Sequence, residues 1–330
     1  MTSQLKVGVL GVGLMGERHA RVLRSMPEAE LVGVYDADGD RAQLVGARYG
    51  VPALPSIEAL LDKAEAVAIA TPTPQHHEHV QKCLLADRHV LVEKSITEHV
   101  EQAEELAALA RARRLLLMVG HIERYNPVFS ELKRILGERG QPPFAMSFRR
   151  LSSYATSSRV VDVALDLMIH DADLLLDLCR GLPITALSAA GRIVRSSEID
   201  HAVAHLSLRD GPVCSLFASR VTEQKVRAIE VTTPDSFIVA DLLRKEIFVH
   251  RHTLATYQAQ DGGITYQQQS VVDQVQVAST EPLLLEAQDF VRCAHTGSPP
   301  RVTAEEATAA LRLVHDVSSL IRADLDRRMS

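Results

Sequence analysis

The stretch Val7-Gly-Val-Leu-Gly11-Val-Gly13-Leu-Met-Gly16 decides the fold of this chain. The apolar run over residues 5–10 has the composition of a buried strand, and Gly11 breaks it. Residues 17–24 have helical spacing, with Val22 and Leu23 on one face. The three glycines answer three needs. Gly11 permits a tight strand-to-helix turn, Gly13 lets a pyrophosphate approach the backbone, and Gly16 lets the helix lie close to the strand. The N–H groups of the helix's first turn, at Leu14, Met15 and Gly16, face the same place, reinforced by the positive end of the helix dipole. A second strand, Leu31-Val-Gly-Val-Tyr35, ends in Asp36, about 20 residues beyond Gly16, where a carboxylate accepts hydrogen bonds from the adenosine ribose hydroxyls. In this context the glycine pattern specifies a dinucleotide site. A structural glycine turn beside a solvated Asp is the weaker reading.

Working outward, the 330 residues predict two domains, because a single core rarely grows beyond about 250–300 residues. Hydrophobic content of 46% with 24% charged residues is that of a soluble globular protein. A net charge of −6 without a dense basic block excludes a nucleic-acid partner on electrostatic grounds. No apolar run is long enough for a membrane span, and the first strand starts too early for a signal peptide. Cys83, Cys179, Cys214 and Cys293 are scattered and read as small core residues. A cytoplasmic protein is expected.

Strand and helix patterns alternate through residue 122: helix 41–49 ended by Gly50, Ser56 capping helix 57–61, strand 66–70, helix 78–85, strand 90–93, helix 98–113 and strand 115–119. This alternation predicts an α/β domain over residues 1–122, a Rossmann doubly wound parallel sheet with right-handed crossovers. Between its third strand and fourth helix, Pro72 and Pro74 predict an extended turn at the carboxyl end of a parallel strand, where cofactors lie. From residue 123 strands follow one another with few helices. Residues 201–208 and 213–221 pair across Asp210-Gly211 as a hairpin, and 226–232, 236–241 and 246–250 continue a meander. Helices 282–294 and one from Thr303, where Thr303-x-x-Glu306 is a capping box, close the chain. Residues 123–330 are expected to form an α+β domain with an open, largely antiparallel sheet. A second copy can cover its exposed face, so a homodimer or homotetramer is expected. The Gln-rich segment 258–276 reads as a mobile loop or an edge strand.

Three constellations carry chemistry. Glu93-Lys94 closes a parallel strand, and a lysine at that edge can polarise a hydroxyl or carbonyl; a surface ion pair is the bland reading. Asp166 and His170, four apart on a helix, share a face, so the carboxylate can orient the imidazole as a general base near neutral pH. The same spacing can ligate metal, but no third ligand is near in sequence and no metal is expected. Arg124 and Tyr125, after the last strand of the first domain, are candidates for substrate contacts; a plain linker ended by Asn126-Pro127 is the alternative. The run His76-His77-Glu78-His79 is too nearly consecutive to converge on one ion, and His76 fits better in a loop over the cofactor ribose.

Taken in order, Gly11-Val-Gly-Leu-Met-Gly16, Thr71-Pro72-Thr-Pro, Glu93-Lys94 and Asp166-x-x-x-His170 resemble the Gfo/Idh/MocA family, the glucose–fructose oxidoreductase and inositol dehydrogenase-like enzymes. The resemblance runs through the closing segments Glu281-Pro-Leu-Leu-Leu-Glu-Ala-Gln-Asp-Phe and Gly297-Ser-Pro-Pro. It implies that Lys94 and His170 sit beside the nicotinamide and the reacting carbon, with Asp166 as orienting partner. Thr71, Pro72, His76 and Glu93 would line the cofactor. Ser95 departs from the family's Pro and removes the ring's constraint on the backbone. Residues 120–127 and 167–173 look like the subgroup that oxidises the 3-hydroxyl of UDP-N-acetylglucosamine; other sugar or inositol dehydrogenases stay open. The implied reaction is hydride transfer, with Lys94 and His170 both candidates for the base and the direction open. Asp36 favours NAD over NADP, because a carboxylate repels a 2′-phosphate. A sensor that kept the dinucleotide domain without catalysis is the rival, and it has no need for Lys94, Asp166 and His170 together.

Overall fold

The glycine loop joins β1 (Leu5–Leu10) to α1 (Leu14–Ser25) in the computed structural model, which describes residues 4–154, 161–251, 255–260, 263–268 and 271–329. The chain continues through β2 (Ala29–Tyr35), α2 (Gly39–Tyr49), α3 (Ile57–Leu61), β3 (Ala66–Ile69), α4 (His76–Leu85), β4 (His89–Glu93), α5 (Val100–Arg113) and β5 (Leu117–Gly120). The five strands form one parallel sheet in the order β2-β1-β3-β4-β5. Every residue of β3 and β5 is buried, as expected for strands covered on both faces. Strand order reverses between β1 and β3, and the loops after these two strands meet there: a Cβ on Gly11 would lie 2.8 Å from the Thr71 nitrogen. That reversal is where doubly wound sheets take their ligands.

The helix ends follow local signals. Gly50 caps α2 in the left-handed conformation at φ 67°, and the Ser56 hydroxyl accepts from the Ala59 N–H at 3.2 Å. One local expectation is corrected. Residues 73–75 are not extended but form a 3-10 turn that runs into α4 at His76. Pro74 sits in the first turn, where its missing N–H has no intrahelical partner to lose.

After Tyr125 come α6 (Pro127–Arg139), β6 (Ala145–Leu151), α7 (Ile169–Leu178) and β7 (Ile184–Arg192). Strands β8 (His201–Leu208) to β12 (Glu246–Arg251) follow, with β9 (Val213–Ser219), β10 (Val226–Thr232) and β11 (Ser236–Asp241) between. Next are β13 (Ala255–Gln260), β14 (Gly263–Gln268) and β15 (Val271–Gln276). Eight of them build a sheet in the order β15-β12-β11-β10-β6-β9-β8-β7, antiparallel except for the parallel pair β6/β9. Its buried face carries Phe148, Leu206, Leu216, Ile229, Val231 and Ile238. On the other face, Ala186, Ser188, His205, Ser147, Ser215 and Glu230 line a shallow concavity. The Gln-rich segment is not a loop where it is described: β13 and β14 pair as a hairpin and β15 forms the sheet's edge.

The chain ends with α8 (Pro282–Thr296) and α9 (Ala304–Met329). Two compact units result, Met1–Tyr125 with Thr280–Leu313, and Asn126–Ser279 with Val314–Ser330. The return of Thr280–Leu313 to the first unit differs from a division into residues 1–122 and 123–330. Its cause is packing: α8 lies against α1 and β1, and Thr303 bridges Met118 at the end of the parallel sheet. No described helix is long and apolar enough to cross a membrane, and the four cysteines are buried and unbridged.

Candidate active site

The glycine loop has the shape a dinucleotide requires. Gly11 has φ +83°, and a Cβ on Gly16 would lie 1.8 Å from the Gly11 carbonyl oxygen, so both positions exclude side chains. At Gly13 the space beyond a Cβ is open. Gly13 is also the N-cap of α1 and supplies no side-chain acceptor to the helix's first turn. The open cradle and the uncapped turn fit a pyrophosphate. Asp36, at the end of β2, accepts from the Val12 N–H at 2.7 Å and from the Asp38 N–H at 2.9 Å. Its carboxylate is thereby fixed beside the loop, with lone pairs left for a ribose.

The ends of β3 and β4 are tied together by His76. Its Nδ1 lies 2.7 Å from the Ser95 carbonyl and its Nε2 2.8 Å from the Thr71 carbonyl. Burial holds this imidazole below its ordinary pKa, so the neutral ring donates to one of the two. His76 is 1% exposed and its ring is spent on the loop backbone, so it fastens the loops instead of lying over a ribose. Thr71 and Pro72 form the turn that His76 secures, and Thr71 Oγ1 meets His79 Nδ1 at 3.1 Å. Lys94 follows β4 directly, and its peptide bond to Ser95 is cis. The preceding Glu93 turns its carboxylate to His19 of α1, whose Nε2 donates to Oε1 at 2.8 Å. Burial opposes that charge, but the hydrogen bond from His19 and the nearby Lys94 outweigh it and hold Glu93 below the usual carboxylate range.

In the second unit, Asp166 lies in a π-helical turn, Ala164–Met168, and His170 is the second residue of α7. The expectation of one continuous α-helix is thus corrected: a wider turn separates the pair, a feature common at functional sites. Arg220 Nη2 lies 3.9 Å from Asp166 Oδ2, and its Nε lies 3.9 Å from Asp200 Oδ1. Asp200 is fully buried and accepts from the N–H groups of Val194, Arg195 and Ser196 at 2.8–3.0 Å. A charged chain, Asp200–Arg220–Asp166, therefore anchors the turn that precedes His170. Arg220, which closely follows the end of β9, has no motif around it to reveal this role.

Two expected substrate residues are placed differently. Tyr125 is fully buried, its hydroxyl donating to Asp289 Oδ2 at 2.8 Å, which makes it a core group. Arg124 is buried with Nη2 3.9 Å from Glu306, the carboxylate of the capping box. Conversely, His19 and Glu286 have no motif around them. The signal was present as a polar residue within an apolar helical face: Gly16, His19, Ala20 and Leu23 on α1, and Leu283, Glu286, Ala287 and Phe290 on α8.

A parallel sheet with this glycine loop, an acidic second strand and a Lys at a strand's carboxyl end defines a Rossmann oxidoreductase with a nicotinamide cofactor. The comparisons agree. Residues 5–121 match the model of an oxidoreductase family with an NAD-binding Rossmann fold. The chain is 32% identical to the UDP-N-acetylglucosamine 3-dehydrogenase of Acidithiobacillus ferrooxidans, over 87% of its own length and 88% of that protein's. It is 27% identical to the scyllo-inositol 2-dehydrogenase (NAD(+)) of Bacillus subtilis, over 95% and 93% of the two lengths. A solved structure of the Acidithiobacillus enzyme superposes with a TM-score of 0.87 at 29% identity, covering 97% and 98% of the chains. The chain belongs to the Gfo/Idh/MocA family of oxidoreductases, and it is a dehydrogenase acting on hydroxyl groups.

Proposed function

We propose that this protein is an NAD-dependent dehydrogenase that oxidises the 3-hydroxyl of a nucleotide sugar, UDP-N-acetylglucosamine. The observation that carries the reading is the 32% identity along 88% of a protein bearing that activity in its name. Bound nicotinamide supplies the hydride acceptor. The N–H groups after Gly13 would hold its pyrophosphate and Asp36 the adenosine ribose, favouring NAD over NADP. His170, oriented by Asp166, takes the hydroxyl proton, and Lys94 polarises the same oxygen. The second reading is an inositol dehydrogenase, favoured by the 27% identity along 93% of the Bacillus protein. We assign cofactor binding to the first unit and substrate binding to the second. A second copy would cover the open face of the eight-stranded sheet. We place the protein in the cytoplasm, in keeping with its four unbridged cysteines.

The test is formation of reduced nicotinamide with NAD or NADP and a panel of UDP-sugars, free hexoses and inositols. UDP-N-acetylglucosamine is expected to turn over, and Lys94→Ala and His170→Ala each to lose about 10²–10⁴-fold in kcat. Asp36→Ala is expected to narrow the preference for NAD. Turnover of inositol alone would establish the second reading, and silence across the panel despite NAD binding would overturn both.

A further inference from the structure

Glu286 stands at the centre of a cluster that the reaction above does not use. One polar atom from each of His19, Glu93 and Glu286 lies within 4.8 Å of the other two. Glu286 is fully buried, and neither of its oxygens has a hydrogen-bond partner among the described residues. His19 Nδ1 is buried without a partner as well, so the one proton the ring needs is that on Nε2, donated to Glu93. Two ionised carboxylates in this space would leave an uncompensated buried charge, which is strongly unfavourable. We propose that Glu286 is a neutral carboxylic acid beside an ionised Glu93, and that it positions Lys94 through Glu93.

The surroundings support this state. Burial, with the charges of Glu93 and Asp289, pushes the Glu286 carboxyl well above its ordinary range. Asp289 lies one turn on along α8, but it is committed to Tyr125, Arg292 and the Arg301 N–H. Around Glu93, Lys94 and His76 are further charged or titratable neighbours among the described residues, and Gly120 of β5 brings no side chain. The turn packed on α8 adds Glu123, Arg124 and Tyr125, α1 adds His19, and β1 presents only Lys6, which is exposed. Glu93 is adjacent in sequence to Lys94, so its side chain, held by the His19 hydrogen bond with Glu286 within 4.8 Å, sets where β4 ends. This second part rests on the dehydrogenase reading; the proton on Glu286 does not.

The experiment compares the melting temperature of the wild-type protein and Glu286→Gln from pH 5 to pH 8. A folded-state carboxyl raised above its ordinary value of 4.5 keeps its proton while the unfolded chain releases one. Stability then falls as pH rises from that value towards the folded one. The amide needs no proton. Glu286→Gln should melt higher than wild type at pH 8, with the gap closing towards pH 5. A variant that melts lower at pH 8, or a stoichiometric metal ion in the wild type that Glu286→Gln loses, would overturn the proposal. Carbon-13 NMR of glutamate-labelled wild type decides independently of any variant. One carboxyl must still be protonated at pH 7, and full ionisation of all of them overturns the idea. For the link to Lys94, Glu286→Ala should lower kcat by about 10- to 100-fold with KM little changed, and Glu286→Gln should restore it. Equal kcat in all three would remove the positioning role while leaving the proton in place.

Discussion

Gly13 and Gly16 belong to one motif yet answer to different constraints, and single substitutions separate them. A Cβ at Gly16 meets the Gly11 carbonyl at 1.8 Å, so Gly16→Ala must push α1 off β1. Overpacking of this kind costs about 1–3 kcal/mol, and Gly16→Ala should lower the melting temperature as well as NAD affinity. At Gly13 nothing lies within 4 Å, so Gly13→Ala should melt like wild type while losing NAD affinity in calorimetry. Equal melting losses in both variants would mean that Gly13 serves the fold and not a pyrophosphate. At this scale the sequence marks as candidates the residues whose expected chemistry depends on near neighbours: the glycines, Asp36 and Glu93-Lys94. His19 and Glu286 escape because their partner is far away in the chain, and a polar residue on an apolar face does not name it. Tyr125 misleads for a related reason, since nothing nearby indicates that Asp289 will claim its hydroxyl.

Helices whose ends are set by their own residues were the most legible elements. Thr303 shows why, because both halves of its capping box form: Glu306 N–H donates to Thr303 Oγ1 at 3.2 Å, and Thr303 N–H to Glu306 Oε2 at 3.3 Å. Thr303→Ala removes the first of these bonds and leaves the carboxylate its own. It should cost about 1 kcal/mol in denaturant unfolding with no change in NAD affinity. An unchanged midpoint would show that tertiary packing alone starts α9. Elements that depart from regular geometry were less legible. Apolar periodicity does not distinguish an i+4 turn from the i+5 turn at Ala164–Met168, and two prolines suit a 3-10 turn as well as an extended one. The Gln-rich strands have no apolar alternation to mark them, because β15 is an edge with no buried residue.

For the whole molecule, alternation of strands and helices followed by strands alone reveals two units and two kinds of sheet. It does not reveal that Thr280–Leu313 returns to the first unit, because an amphipathic helix records that it has a buried face and not which surface buries it. The same limit bears on the face of the large sheet that no described element covers. That face carries small and polar residues, Ser147, Ser188, Ser215 and His205 among them, while Phe144, Leu182, Ile184 and Val213 are exposed at one end of the same strands. Small side chains let a second sheet approach closely, and exposed apolar groups at its margin mark a surface that associates. A copy of the same chain offers the same face to it in a two-fold arrangement. Ser215 is central, paired with Ser147 on β6 and His205 on β8. Ser215→Arg places two like charges against each other across a two-fold axis near this position, while the buried face of β9 is untouched. Sedimentation should give a dimer or tetramer for the wild type and a monomer for Ser215→Arg, with the same circular dichroism. A wild-type monomer at micromolar concentration, or an arginine variant that still assembles, would move the interface off this sheet.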